Sequence, residues 1–294
     1  MRYIEAKSIV SSWSEGKNWF GNNYNMNIYR GCNHGCIYCD SRSDCYHVEN
    51  FDEVRAKENA LLILERDLKS KRKKGLVSNG AMSDPYNPFE AKYQLTRGAL
   101  ELIHKHGFGA GIITKSDLVT RDIDLLTKIR EHSPAMVKMT ITTFEDALCQ
   151  KIETGVTPTS KRLTALKQLS QAGIFTGVLL MPILPFINDT EENIKNIVQA
   201  AAENGVDFIF PAFGVTLRQN QRVHFYQQLD KTFPGLKQKY INTFGNNYEC
   251  FSPNKKNLYE VFKTECEKNN ILYKMPQIIE ALKSDYQPHQ LSFL

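Results

Sequence analysis

The 294 residues, 41% of them apolar and 23% charged, have the composition of an ordinary globular chain, long enough for one large α/β barrel or two modest domains. No apolar run approaches the ~20 residues a membrane helix needs, and charges interrupt the opening Met-Arg-Tyr-Ile-Glu-Ala-Lys, so no membrane partner and no signal peptide are expected and the chain is placed in the cytoplasm. The net charge of +5 permits nucleic-acid binding without requiring it, and seven cysteines, an odd number, argue against a disulfide framework.

Residues 1–24 mix Trp13, Trp19 and Phe20 with glycines and asparagines and are predicted to wrap the outside of the core. A short strand at Met26–Tyr29 leads into Cys32-x3-Cys36-x2-Cys39, three thiols within eight residues. A structural zinc site needs four ligands to close its tetrahedron; three thiolates leave a metal centre one open position, the arrangement of a site for chemistry. Ordinary buried thiols, or a zinc site borrowing His34 or His47, are the alternatives. Apolar Val54, Leu61, Leu62, Leu64 and Leu68 predict a helix over Val54–Lys69 with Gly75 as its cap. The run Lys69-Ser70-Lys71-Arg72-Lys73-Lys74 reads as its solvated end, where cations favour the negative pole of the helix.

A strand at Leu76–Ser78 then meets a loop over Asn79–Glu90, broken by a glycine and two prolines. Leu95–Lys105 reads as a helix and Ala110–Thr114 as a strand with Lys115 at its C-terminal end. A helix follows from Arg121, then a strand over Ala135–Thr143 with Thr140, Thr142 and Thr143 toward its end. Ser160–Ala172 is helical, with Arg162 in the first turn, where a cation opposes the dipole and a bound anion would relieve it. Phe175–Met181 is an almost continuous apolar strand, as in a parallel sheet covered on both faces. A helix over Ile194–Asn204 and a strand over Phe208–Phe213 complete six strands and five helices, a partial (β/α)6 barrel, α/β in class. Beyond Arg218 only helices are predicted: two around Pro234 and one over Leu258–Lys268. The domains are then 1–24, a wrapping segment; 25–218, the barrel; and 219–294, a helical extension.

The cysteine loop resembles the signature of the radical S-adenosylmethionine (SAM) superfamily, including the aromatic Tyr38 before the third cysteine. Asn27, Tyr29, Arg30, Gly31, His34 and Gly35 resemble the spore-photoproduct-lyase-like branch, whose members are described as DNA-repair-related. Asp40-Ser41-Arg42 departs from the Tyr-Ala-Arg often found there, matching only at Arg42. The resemblance implies a [4Fe-4S] cluster on Cys32, Cys36 and Cys39. It also implies SAM on the open iron, and an electron donor such as flavodoxin or ferredoxin for its cleavage to a 5′-deoxyadenosyl radical. It further implies SAM contacts from Tyr38, from Ser83 and Asp84 of a Ser-Asp-Pro-Tyr run, and from Lys115 of a Thr-Lys-Ser run, a solvent-exposed lysine being the alternative. By their own places, the Thr142 and Thr143 hydroxyls at a strand end would suit the ribose or carboxylate of SAM or serve packing alone, and Arg162 would meet an anion or is merely exposed. An Asp-Pro turn is the equal alternative for Asp84. Pro182-Ile183-Leu184-Pro185 resembles the segment whose backbone contacts adenine.

Spore photoproduct lyase returns a hydrogen atom from a cysteine beyond strand two, whereas here no cysteine stands between Cys45 and Cys149. The expectation is therefore a radical SAM enzyme acting on a nucleic acid or nucleotide by a different reaction. A peptide or small metabolite as substrate, or a non-enzymatic iron–sulfur or zinc module, are the alternatives. The catalytic residue and the oligomeric state are left open.

Overall fold

The computed structural model describes residues 1–13, 19–80 and 82–286. Six strands run parallel in chain order: β1 (Tyr24–Met26), β2 (Leu76–Asn79), β3 (Gly109–Thr114), β4 (Ala135–Thr140), β5 (Phe175–Leu180) and β6 (Phe208–Pro211). Val10–Ser12 adds an antiparallel edge strand on β1. Crossover helices α1 (Ala60–Lys69), α2 (Leu95–Lys105), α3 (Ile123–Arg130), α4 (Thr159–Gln171) and α5 (Glu191–Glu203) join successive strands, making the partial barrel expected.

Alternation along each strand decides which side is which. Ala135, Val137 and Met139 of β4 join the main core under the helices, while Met136 and Lys138 point to the inner face. At the bottom of the barrel, Phe20, Leu76, Met136, Leu179 and Phe208 pack with Ile278 and Leu282, which come from a late helix at Met275–Lys283. Gly177 admits the Phe208 ring, for a Cβ there would lie 2.1 Å from its Cζ. The α5 helix shows how its start is encoded: Thr190 caps it by accepting from the Asn193 amide at 3.2 Å, and Glu191 and Glu192 occupy the first turn.

Three expectations are corrected. Arg55–Lys57 is a strand, paired between Arg2–Ile4 and Tyr29–Arg30, and the helix starts only at Ala60; it ends at Lys69 as expected, but Ser70 and not Gly75 is its cap. The N-terminal segment is only partly a wrapping, because Phe20 is wholly buried inside the barrel. Beyond Arg218 the chain is not purely helical: Glu249–Phe251 pairs antiparallel with Gly214–Thr216. Helices at Gln221–Thr232, Leu236–Phe244 and Lys255–Lys268 fill the rest of that region. Among the described residues no helix is long and apolar enough to cross a membrane.

Candidate active site

The loops that follow the parallel strands converge on one cavity of about 630 Å³. Its lining includes Cys32, Cys36 and Cys39 from beyond β1, Ser83 and Asp84 from beyond β2, Lys115 from the end of β3, Met181 and Pro182 from the end of β5, and Gly214 and Thr216 from beyond β6.

The cysteine loop is moulded by backbone contacts. Gly31 and Gly35 adopt φ of +79° and +65°, and a Cβ at Gly35 would come within 2.2 Å of the Thr154 hydroxyl. The Cys32 amide donates to the Phe51 carbonyl at 2.7 Å, and the Ile37 amide donates to Ile152 at 3.0 Å. Segment 152–155 is therefore the bed on which the loop lies. Within it, Glu153 is wholly buried, accepts from the Tyr38 hydroxyl, and takes a second bond from Arg162. Burial opposes its ionisation, but Arg162 and Lys115 outweigh burial and hold the carboxyl below its usual range.

Of the residues expected to contact SAM, four line the cavity: Tyr38, Ser83, Asp84 and Lys115. Thr142, Thr143 and Arg162 do not. Both threonines are buried, their carbonyls accepting from Asn188 and Thr159, and the buried Thr142 hydroxyl has no hydrogen-bond partner among the described residues. Arg162 spends its guanidinium on Glu153, the Thr140 carbonyl at 2.6 Å and the Thr157 carbonyl at 2.6 Å. The cost of a cation in a helix's first turn is met by an internal carboxylate, not by a bound anion.

Asp84 fulfils its turn role. One oxygen accepts from the Tyr86 amide at 2.9 Å and the Thr114 hydroxyl at 2.6 Å; the other accepts from the Lys115 amide at 2.8 Å and stands 3.5 Å from His34 Nδ1. The Lys115 ammonium lies 5.8 Å from the centroid of the Tyr38 ring. Burial opposes its charge, yet Cys36, Glu153 and Asp84 keep it protonated above the usual lysine range.

Burial pushes the Cys32 thiol up to about 11 and raises Cys36 and Cys39 as well, so each must lose a proton to bind metal. Among the described residues no three His, Cys, Asp or Glu side chains converge on a point as a single ion requires. A cubane cluster takes each thiolate at a different iron and needs no such convergence, so three separate thiols facing one cavity fit it and leave a fourth iron open. None of Cys45, Cys149, Cys250 and Cys266 lines the cavity; Cys45 is exposed, its thiol 3.0 Å from Arg218 on the turn that brings Tyr46 to the rim.

The family model described as the Radical SAM superfamily matches residues 26–201, more than half of the chain. The chain belongs to that superfamily. Its cofactors are accordingly a [4Fe-4S] cluster and S-adenosylmethionine, and the radical SAM proteins it resembles in structure are enzymes. An uncharacterised protein of Mycobacterium tuberculosis is 28% identical over 224 residues, covering 74% of this chain and 66% of that protein. One from Methanocaldococcus jannaschii is 38% identical over 174 residues, covering 58% and 64%. The chain thus spans just under two thirds of the length of these curated relatives. Spore photoproduct lyase complexed with dinucleoside spore photoproduct superposes with a TM-score of 0.65 at 15% identity, over 90% of this chain and 79% of that one. The radical SAM methyltransferase TsrM of Kitasatospora setae, with tryptophan substrate and a SAM analogue bound, gives 0.56 at 12% identity, over 82% and 51%. At such identities the likeness is one of fold.

Sequence reasoning missed Glu153, the place of the tryptophans in the cavity and the pairing of His34 with Asp84. Glu153 reaches Tyr38 across 115 residues, a contact no local pattern signals. Trp13 and Trp19, the chain's two tryptophans, both line the cavity, although they lie in the segment expected outside the core.

Proposed function

We propose that this chain is a radical SAM enzyme whose Cys32, Cys36 and Cys39 hold the cluster and whose substrate is a nucleobase of a nucleic acid or nucleotide. The observation that carries the first half is the meeting of three thiols, Tyr38, Ser83 and Lys115 in one cavity at the C-terminal ends of a parallel barrel. When bound and reduced, the cluster supplies the electron that splits a carbon–sulfur bond of SAM and yields a 5′-deoxyadenosyl radical. The reductant is a small electron carrier of the flavodoxin or ferredoxin kind.

The chain's own residues bind and orient. Lys115, kept charged by its anionic neighbours, offers its ammonium to the SAM carboxylate. Asp84 fixes where Lys115 leaves its strand, because its carboxylate holds the Lys115 amide and the Thr114 hydroxyl together. The Ser83 hydroxyl adds a further polar contact from the cavity lining. Tyr38, bonded to the buried Glu153, keeps the third cysteine's turn in place.

The nucleobase reading is supported by other residues of the cavity lining. Trp13 and Trp19 stand there with Asn22, Asn25 and Asn27. Indoles offer planar faces, and side-chain amides match the paired donors and acceptors of a base edge. The Asn22 oxygen is taken by the Ser78 hydroxyl at 2.7 Å, whereas the buried Asn25 oxygen has no hydrogen-bond partner among the described residues.

The test is anaerobic: reconstitute the cluster, reduce with dithionite, and assay 5′-deoxyadenosine from SAM with and without oligonucleotide. SAM cleavage stimulated by oligonucleotide is expected. A reduced, iron-replete protein that leaves SAM intact would overturn the proposal.

A further inference from the structure

Among the described residues seven large apolar side chains are exposed, and five lie within residues 214–263: Val223, Ile241, Tyr248, Phe251 and Tyr259. Single exposed apolar residues are ordinary, but their concentration in one segment is not. The same segment holds eight Lys and Arg against three Asp and Glu, a net of +5. The whole chain has 37 against 32, so this segment carries all of the excess and the rest is balanced.

The segment is joined to the cavity by a strand pair. Gly214 and Thr216 line the cavity, and their strand pairs with Glu249–Phe251, Gly214 opposite Phe251. A Cβ at Gly214 would lie 2.7 Å from Phe251 Cδ1, so the Phe251 ring lies across the glycine on the cavity's rim. Lys255 Nζ stands 3.5 Å from that ring's centroid. Arg218 bridges the other side, 5.2 Å from the Tyr248 ring and 6.0 Å from Tyr46, which itself lines the cavity. Asp40 pairs with Arg218 at 3.0 Å and fixes it there. Tyr259 meets Phe213 edge-on at 6.4 Å.

We propose that Tyr248, Phe251 and Tyr259, flanked by Lys255 and Lys256, form a platform that binds single-stranded nucleic acid beside the cavity mouth. The proposal rests on the nucleobase reading of the cavity and deepens it. Aromatic faces stack on any base, and exposed ammonium groups follow the phosphates, the combination that holds single strands without reading sequence. Lys255 can swing from the Phe251 face to a phosphate as a base takes its place, since a surface cation–π contact is weak. A duplex keeps its bases stacked on one another and offers no free faces to these rings. The partner is therefore a single strand or an unpaired segment, from which one base enters the cavity.

The experiment measures anisotropy of a labelled mixed-sequence 12-nucleotide strand, as DNA and as RNA, against the anaerobic holoenzyme, with the duplex and a poly-glutamate peptide as comparisons. The single strand is expected to bind best, with affinity falling as salt rises. Tyr248→Ala and Phe251→Ala should each weaken it about 5- to 100-fold, and Lys255→Gln should lessen the salt slope by about 1. SAM cleavage in the absence of nucleic acid should be unchanged in all three, which shows that they fold. Should the wild type bind the strand while the aromatic variants bind it equally well, the platform is wrong and the nucleobase reading stands. Should the wild type cleave SAM but bind neither DNA nor RNA, or prefer the peptide, the platform falls together with the nucleic-acid half of the nucleobase reading, which is then confined to a free nucleotide. Preference for the duplex would also overturn the platform, and the two single-strand arms decide between DNA and RNA.

Discussion

Replacing Lys138 with methionine should make this protein more stable. Lys138 points from β4 into the barrel, is fully buried, and its Nζ has no hydrogen-bond partner among the described residues. Its nearest compensation is the face of Phe20, 4.9 Å away. Burial alone pushes its pKa from the ordinary 10.5 down to about 7. Between pH 7 and 10.5 the unfolded chain holds a proton that the folded chain has released, so stability rises with pH across that window and the penalty is complete below it. At pH 7 the penalty is about 4 kcal/mol, at about 1.4 kcal/mol for each tenfold change in proton affinity. Methionine keeps most of the volume without the charge, so Lys138→Met should gain on the order of 2–4 kcal/mol at pH 7 and flatten the rise toward pH 10. Urea unfolding followed by circular dichroism at pH 6, 8 and 10 measures both effects. A variant less stable than wild type at pH 7, with an unaltered pH dependence, would refute the reasoning and mean that the ammonium is paired.

Glu153→Ala should cost about 3–5 kcal/mol, because it strands the buried Arg162 cation, and thermal melting should show Glu153→Gln to be milder. Lys115→Ala should weaken SAM binding about 10- to 100-fold in equilibrium dialysis while leaving the iron content of the protein unchanged. Gly35→Ala should lower iron occupancy after reconstitution and cost about 1–3 kcal/mol, since it combines a left-handed backbone with a clash against Thr154. Gly235→Ala is the matching control, with φ of +86° and nothing within 4 Å of the added carbon, and its iron content should equal wild type.

The cysteine loop and five of the barrel strands were legible within a residue or two at their starts, because thiol spacing and apolar runs such as Phe175–Leu180 are local signals. Arg55–Lys57 was read as helix because Val54 fits the apolar spacing of the helix that follows. Its strand state comes from pairing with Arg2–Ile4, more than fifty residues away. Glu249–Phe251 likewise exists through Gly214–Thr216, across two helices. At the site, four of the seven SAM candidates line the cavity; Tyr38, Ser83 and Asp84 were legible through motifs that resemble the family's, and Lys115 through its motif and its place at a strand's end. Arg162 was read as waiting for an anion, and the anion is Glu153, which no periodicity links to it. Phe20 and Trp19 lie in a segment without regular pattern, where burial is decided by the shape of the barrel bottom and mouth.

Cys32, Cys36 and Cys39 would hold the cluster by three thiolates only, in the cavity that Tyr38 and Lys115 also line, leaving one iron free for SAM. Electron paramagnetic resonance of the dithionite-reduced, reconstituted protein tests this most directly. Adding SAM should shift the g-values of the reduced cluster, and Cys36→Ala should abolish the signal altogether. A spectrum indifferent to saturating SAM would contradict the open cluster position argued from Cys32, Cys36 and Cys39.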